Sequence, residues 1–210
     1  MRVAVIGAGV IGVTTAYELT QDGHDVTVFE RGATAAEGAS FANGGLLAPA
    51  WIAAQVEAER QRVQPAGVRR WWQRAHQGRQ PAPGSDLLAL ARYGAERLDG
   101  LCERLQLSVD SHQGMMVVWR DQRDKARAED LHSLTRKLSG ECHFMASEQA
   151  RKLEVALNPD TPLQGALVMP DVWSVNCRQF TLQLRSRAQM DGCRFVFSRT
   201  VTGQETSGQQ

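Results

Sequence analysis

The 210-residue chain has little net charge, few cysteines and no long apolar run. Its 24 basic and 23 acidic residues leave a formal charge of +1. Nothing global therefore marks a nucleic-acid partner. No stretch approaches the roughly 18 apolar residues of a membrane span, so none is expected. The start MRVAVIGAGV is too short and too glycine-broken for a signal peptide, and a strand pattern begins at once. The four cysteines (Cys102, Cys142, Cys177, Cys193) show no CxxC and no zinc spacing. Reduced thiols in a cytoplasmic protein are the expected reading. The five histidines are equally scattered. No metal constellation emerges, and no His or Cys presents itself as a catalytic group.

What is present is concentrated at the N-terminus. Val3-Ala-Val-Ile6 is a short β-branched run that ends at a glycine, the pattern of a buried parallel strand. From Gly12 to Gln21 the apolar residues Val13, Ala16, Tyr17 and Leu19 fall near helical spacing, and Asp22-Gly23 closes the run. Val26-Thr-Val-Phe29 is a second strand pattern, ending at Glu30. The turn between strand and helix reads Gly7-Ala8-Gly9-Val10-Ile11-Gly12. In such a G-x-G-x-x-G turn the first glycine permits the tight turn. The second lets a pyrophosphate approach the backbone, and the third lets helix pack on strand. The helix N-terminus turns free N–H groups toward the phosphates. Glu30 stands where a carboxylate can accept from ribose hydroxyls, and its charge disfavours a 2′-phosphate. The residues to this point admit FAD or NAD.

The stretch Arg31–Pro49, RGATAAEGASFANGGLLAP, is rich in small residues and lacks a period. It reads as a loop that can lie close against a bulky ligand. Further on, 85–107 reads as an amphipathic helix capped by Ser85 or Asp86. Met115–Trp119 reads as a strand, and 121–138 as a helix with Asp121 as its cap. Met115, Met116 and Trp119 are expected in the core. Arg60, Arg62, Arg69, Arg70, Arg74 and Arg79 surround Trp71 and Trp72 with no acid between them. That composition suits a lipid headgroup zone, or a solvated basic loop.

VAVIGAGVIGVTTAYELTQDGHDVTVFER, followed by SFANGGLLAP, resembles the FAD-dependent amino-acid oxidoreductases of the D-amino-acid oxidase superfamily. Within it the chain is most similar to the bacterial D-amino-acid dehydrogenase small subunits. Gly165–Asp171, Cys177–Gly192 and Phe195–Gly203 resemble the family's next strand, helix and strand; Asp171–Val175 departs from its glycine-bearing turn. The resemblance implies an α/β fold, with a Rossmann-like FAD-binding domain interrupted by part of an α+β substrate domain. Residues 1–84 and 160–203 would form the first and 85–159 the second, with 204–210 a polar tail. It implies FAD held by Gly7, Ala8, Gly9, Val10, Ile11, Gly12, Glu30, Arg31, Ser40, Asn43, Gly44 and Val201, the valine against the adenine. It implies hydride transfer from the Cα of a D-amino acid to flavin N5, with a quinone or carrier accepting the electrons. Family members run to about twice this length, so the substrate-binding residues are expected outside the 210. Three other readings stay open: a catalytically inactive nucleotide-binding piece, a glycine- or sarcosine-type amine oxidase, and an NAD module. The expected location is the cytoplasm, with the Arg60–Arg79 segment a candidate contact on the inner face of a membrane.

Overall fold

A computed structural model describes residues 1–63, 85–138 and 140–205. It is a mixed α/β protein. The chain divides into two compact units, one of Met1–Gly45, Leu101–Asp110 and Val175–Gln210, the other of Leu46–Gly100 and Ser111–Ser174. These units part the chain at other places than the expected 84 and 160. The seam after Gly45 arises because the helix α2 (Pro49–Val63) packs on α4 (Gln122–Lys137), inside the second unit.

The first unit is built on β1 (Arg2–Ile6), α1 (Val10–Gln21) and β2 (Asp25–Phe29). A crossover helix α6 (Cys177–Met190) leads to β7 (Arg194–Val196). The three strands are parallel in the order β1-β2-β7. α1 and α6 pack on each other, and their apolar stripes bury Val13, Ala16, Tyr17, Phe180, Leu184 and Ala188 together with Val26 and Val28 of β2. α6 starts where the Asn176 side chain accepts from the Gln179 N–H at 3.1 Å, an N-cap bond. β1 departs from expectation. It is an edge strand with alternating exposure, and Ile6 is 70% exposed. β7 is also shorter than the expected strand, ending at Val196; Ser198 has φ of 55° and turns the chain away.

The second unit centres on β6 (Gly165–Val175). β5 (His143–Ala146) pairs antiparallel with its first half, and β3 (Leu46–Leu47) with Trp173 and Ser174. β4 (Ser111–Trp119) also neighbours β6. The expected loop at 31–49 thus contains a two-residue strand. β6 runs on through Pro170 to Val175, where the family resemblance implies a turn. The partner backbone of β3 is what extends it. Also present are α3 (Ser85–Leu105) and the short α5 (Ser147–Leu153). Asp121 caps α4, accepting from the Asp124 N–H at 2.8 Å. Trp51, Trp119, Leu167, Met169 and Val172 form the core, with Met115 packed against it. Gly165 has no room for a side chain because the Trp119 indole occupies the space. All four cysteines are free thiols. No helix among the described residues is long and apolar enough to cross a membrane. Of the Arg60–Arg79 segment, everything beyond Val63 lies outside the described residues.

Leu184 is fully buried where α6 meets α1. Leu184→Ala is expected to lower the unfolding free energy by about 2–5 kcal/mol. Urea denaturation followed by far-UV circular dichroism measures it. A loss below about 1 kcal/mol would show that this seam does not hold the unit together.

Candidate dinucleotide site

The C-terminal ends of the parallel strands gather most of the expected site residues. β1 stops at Ile6, and Gly7 takes φ of 98°, a left-handed value that glycine adopts without strain. Gly9 is the N-cap of α1 in an extended conformation, and no side chain caps the helix from within it. Val13 N–H donates to the Gly9 carbonyl at 2.9 Å, the first helical bond. A Cβ at Gly12 would collide with the Gly7 carbonyl oxygen. One at Gly9 would sit 3.2 Å from Ser40 Oγ. Both glycines therefore keep the turn tight and its mouth clear.

Glu30 ties three segments together. Its Oε2 accepts from the Ala8 N–H at 2.7 Å and its Oε1 from the Gly32 N–H at 2.7 Å. Its own N–H donates to the Val196 carbonyl, and its carbonyl accepts from Arg199 N–H, both at 2.9 Å. Partial burial pushes the Glu30 carboxyl up. The two N–H bonds and the neighbouring Arg31 charge outweigh burial and hold it below the ordinary value of 4.5. Ser40 is buried, and its Oγ accepts from the Val10 N–H at 2.9 Å. Ser198 N–H donates to the Gly32 carbonyl at 2.9 Å, so the segment leading to Val201 runs beside Glu30, Arg31 and Gly32.

The structure thus brings Gly7, Ala8, Gly9, Val10, Gly12, Glu30 and Ser40 into one hydrogen-bonded cluster. Arg31 is adjacent and exposed, Ile11 turns its side chain to solvent from the first turn of α1, and Val201 is also exposed. Asn43 and Gly44 are exposed and not tied into it. Asn43 Oδ1 instead accepts from the Gly45 N–H at 2.9 Å. Gly45, which the sequence reading passed over, is the constrained glycine here. Its φ is 56°, and a Cβ would collide with the Val175 carbonyl. The run GG before Leu46 was the available signal. Ala36, whose N–H donates to the Ala8 carbonyl at 3.0 Å, carried no signal at all.

A parallel sheet, a glycine turn opening a helix and a carboxylate at the end of the second strand are now in register. The model of the family described as FAD dependent oxidoreductase (DAO) matches residues 2–210. The chain belongs to that family. D-amino acid dehydrogenase 2 of Ralstonia nicotianae is 30% identical over 212 residues, covering 89% of this chain and 50% of the relative. Glycine oxidase of Bacillus cereus superposes with a TM-score of 0.70 at 20% identity, over 97% of this chain and 49% of that one. L-α-glycerophosphate oxidase of Mycoplasma pneumoniae, solved with FAD bound, gives 0.58 at 18% identity, over 95% of this chain and 45% of that one. The chain spans about half the length of the relatives it matches. The family is FAD dependent and its members are oxidoreductases, so FAD is the cofactor this fold serves.

Glu30→Gln keeps the side chain's size but removes its charge and one acceptor oxygen. At pH 7 the variant is expected to be less stable by about 1.5–3 kcal/mol, the worth of a hydrogen bond to a charged group. The folded carboxyl titrates below its unfolded value of 4.5, so its contribution is present above that value and lost as pH falls through the folded one. The gap between wild type and variant is therefore expected to close on acidification below about 4.5. Chemical denaturation at a series of pH values checks this, and a pH-independent gap would exclude a charged Glu30 as the stabilising group.

Proposed function

We propose that the first unit is the nucleotide-binding part of an FAD-dependent dehydrogenase that oxidises D-amino acids. The observation that carries the reading is the glycine turn closed by the ionised Glu30 against Ala8. The residues fit the group. By helix geometry the Ile11 and Gly12 N–H groups have no acceptor within α1, so they are available to a pyrophosphate. Gly9 leaves the mouth of the turn open. Glu30 Oε1 and Oε2 each hold one N–H and keep acceptor capacity for ribose hydroxyls. The fixed negative charge favours the ribose of FAD over a 2′-phosphate. Ser40, still holding the Val10 N–H, would donate its hydroxyl hydrogen to a phosphate oxygen, with Arg31 beside the ribose and Val201 against the adenine. Asn43 and Gly44 are assigned to the flavin side on the family resemblance alone.

The bound flavin supplies the two-electron oxidation, and the protein's part is to orient and enclose. D-amino acids are the substrate class favoured by the 30% identical dehydrogenase. The glycine oxidase likeness favours a second reading, a glycine-type amine oxidase. The second unit is assigned to the substrate side, and a quinone or soluble carrier to electron acceptance. The basic segment at Arg60–Arg79 remains the candidate membrane contact.

The 210-residue chain is expected to quench FAD fluorescence on titration, and Gly9→Val to weaken that binding at least about tenfold, because the new side chain fills the mouth of the turn. Tighter binding of NAD than of FAD would overturn the cofactor reading. The isolated chain is expected to reduce no dye with D-alanine. A chimera that continues into the unmatched half of the Ralstonia dehydrogenase is expected to do so with D-alanine and not with L-alanine. Preference for glycine would favour the second reading.

A further inference from the structure

α6 does more than pack on α1 ahead of β7. Of its three arginines, Arg178 and Arg185 are seven residues apart, close to two full turns, so both lie on one stripe of the helix. The Arg178 guanidinium carbon lies 4.4 Å from the centroid of the Phe41 ring. The Arg185 guanidinium carbon lies 5.9 Å from the centroid of Phe197. Both distances fall within the reach of a cation–π contact. The Nε of each arginine is buried and has no hydrogen-bond partner among the described residues. On that side each head group meets an aromatic face.

The two phenylalanines are placed alike. Phe41 is about half exposed and directly follows Ser40, whose hydroxyl holds the Val10 N–H. Phe197 directly follows β7, stacks on Phe195 at 6.1 Å, and directly precedes Ser198, whose N–H is bonded to Gly32. One loop runs along the glycine turn and the other along Glu30–Gly32. α6 itself is anchored, with Phe180 and Leu184 buried and Asn176 capping its start. It therefore reaches one side chain to each of the two loops that flank the cradle.

We propose that Arg178 and Arg185 are positioning residues for the nucleotide site, each holding one flanking loop in place by lying over its phenylalanine. The proposal rests on the reading of the site as a nucleotide cradle. Neither arginine is assigned a contact with the ligand. Their effect passes through Phe41 to Ser40, and through Phe197 to the Ser198–Val201 segment. A planar guanidinium stacks on a ring more fully than an ammonium does, so lysine is only a partial replacement.

Amide hydrogen exchange on the whole chain reads the loops directly, without a ligand. Arg178→Ala is expected to speed exchange across 38–44 about two- to fivefold and to leave 196–203 unchanged, and Arg185→Ala to do the reverse. That range is what one partly exposed cation–π contact is worth. FAD titration is expected to show a similar loss of affinity for each alanine variant, with Arg178→Lys recovering part of it. Phe41→Leu combined with Arg178→Ala is expected to be no worse than either change alone, as for two members of one contact. Exchange that is unchanged in both loops, or that rises equally over α6 and both loops, overturns the proposal. Wild-type protein that fails to bind FAD, with loop exchange responding as described, would overturn the nucleotide reading and leave the loop-holding role standing.

Discussion

The glycine-turn end of the first unit depends on one close approach. The Gly7 carbonyl sits where any side chain at position 12 would have to go. That contact lets α1 begin almost at once after β1, and it sets the direction in which the first-turn N–H groups point. Move the helix out by the width of a methyl group and three other bonds are disturbed: Ala8 N–H to Glu30, Val10 N–H to Ser40, and the Ala36 N–H to the Ala8 carbonyl. Each of these joins the turn to a segment more than twenty residues away. The glycine spacing is thus a packing requirement first, and the geometry proposed for ligand binding would be its consequence.

Glu30 extends the same constraint across the sheet. Its main chain closes the β2–β7 pairing on both sides, and its side chain reaches back to the turn after β1. A neutral residue of the same size could keep the strand pairing but could not hold two N–H donors with one charged group. Because these bonds and the Arg31 charge outweigh the cost of partial burial, the Glu30 carboxyl is held below its ordinary value. The charge that, on the proposed reading, would discriminate against a 2′-phosphate is favoured by the same bonds that tie the turn to β2.

Much of this was legible in the sequence because it is local. β1, α1 and β2 follow from apolar spacing and glycine placement within thirty residues, and Asp121 was readable as a cap because capping needs only three residues of context. What failed was pairing. Leu46-Leu47 is too short to show a strand period, and it becomes one only because Trp173 and Ser174 lie opposite. The same contact carries β6 past Pro170, which breaks the local strand signal. β1 read as fully buried because all its central residues are apolar, yet its outer face is open, with Ile6 exposed. Hydrophobicity shows what a strand can bury, and its neighbours decide what it does bury. In the candidate site, the residue types were legible and their partners were not. Ser40 and Glu30 stood out, but that both would hold backbone N–H groups of the glycine turn depends on a loop closure no period encodes.

Those partners bear on how the site receives a ligand. Two of the turn's N–H groups, on Ala8 and Val10, are already bonded to Glu30 and Ser40. On the proposed reading the site would at first sight compete with its own cofactor. The chemistry of the acceptors removes the conflict. A serine hydroxyl accepts from one N–H and still has a proton to donate, so Ser40 can keep the Val10 bond and offer its hydrogen to a phosphate oxygen. Each carboxylate oxygen of Glu30 has a second lone pair for a ribose hydroxyl. The N–H groups of Ile11 and Gly12, at the first turn of α1, have no intrahelical acceptor. These bonds would therefore hold the acceptors and donors in position instead of blocking them. On the proposed reading that would lower the ordering cost of binding, because the loops are already tied to the turn.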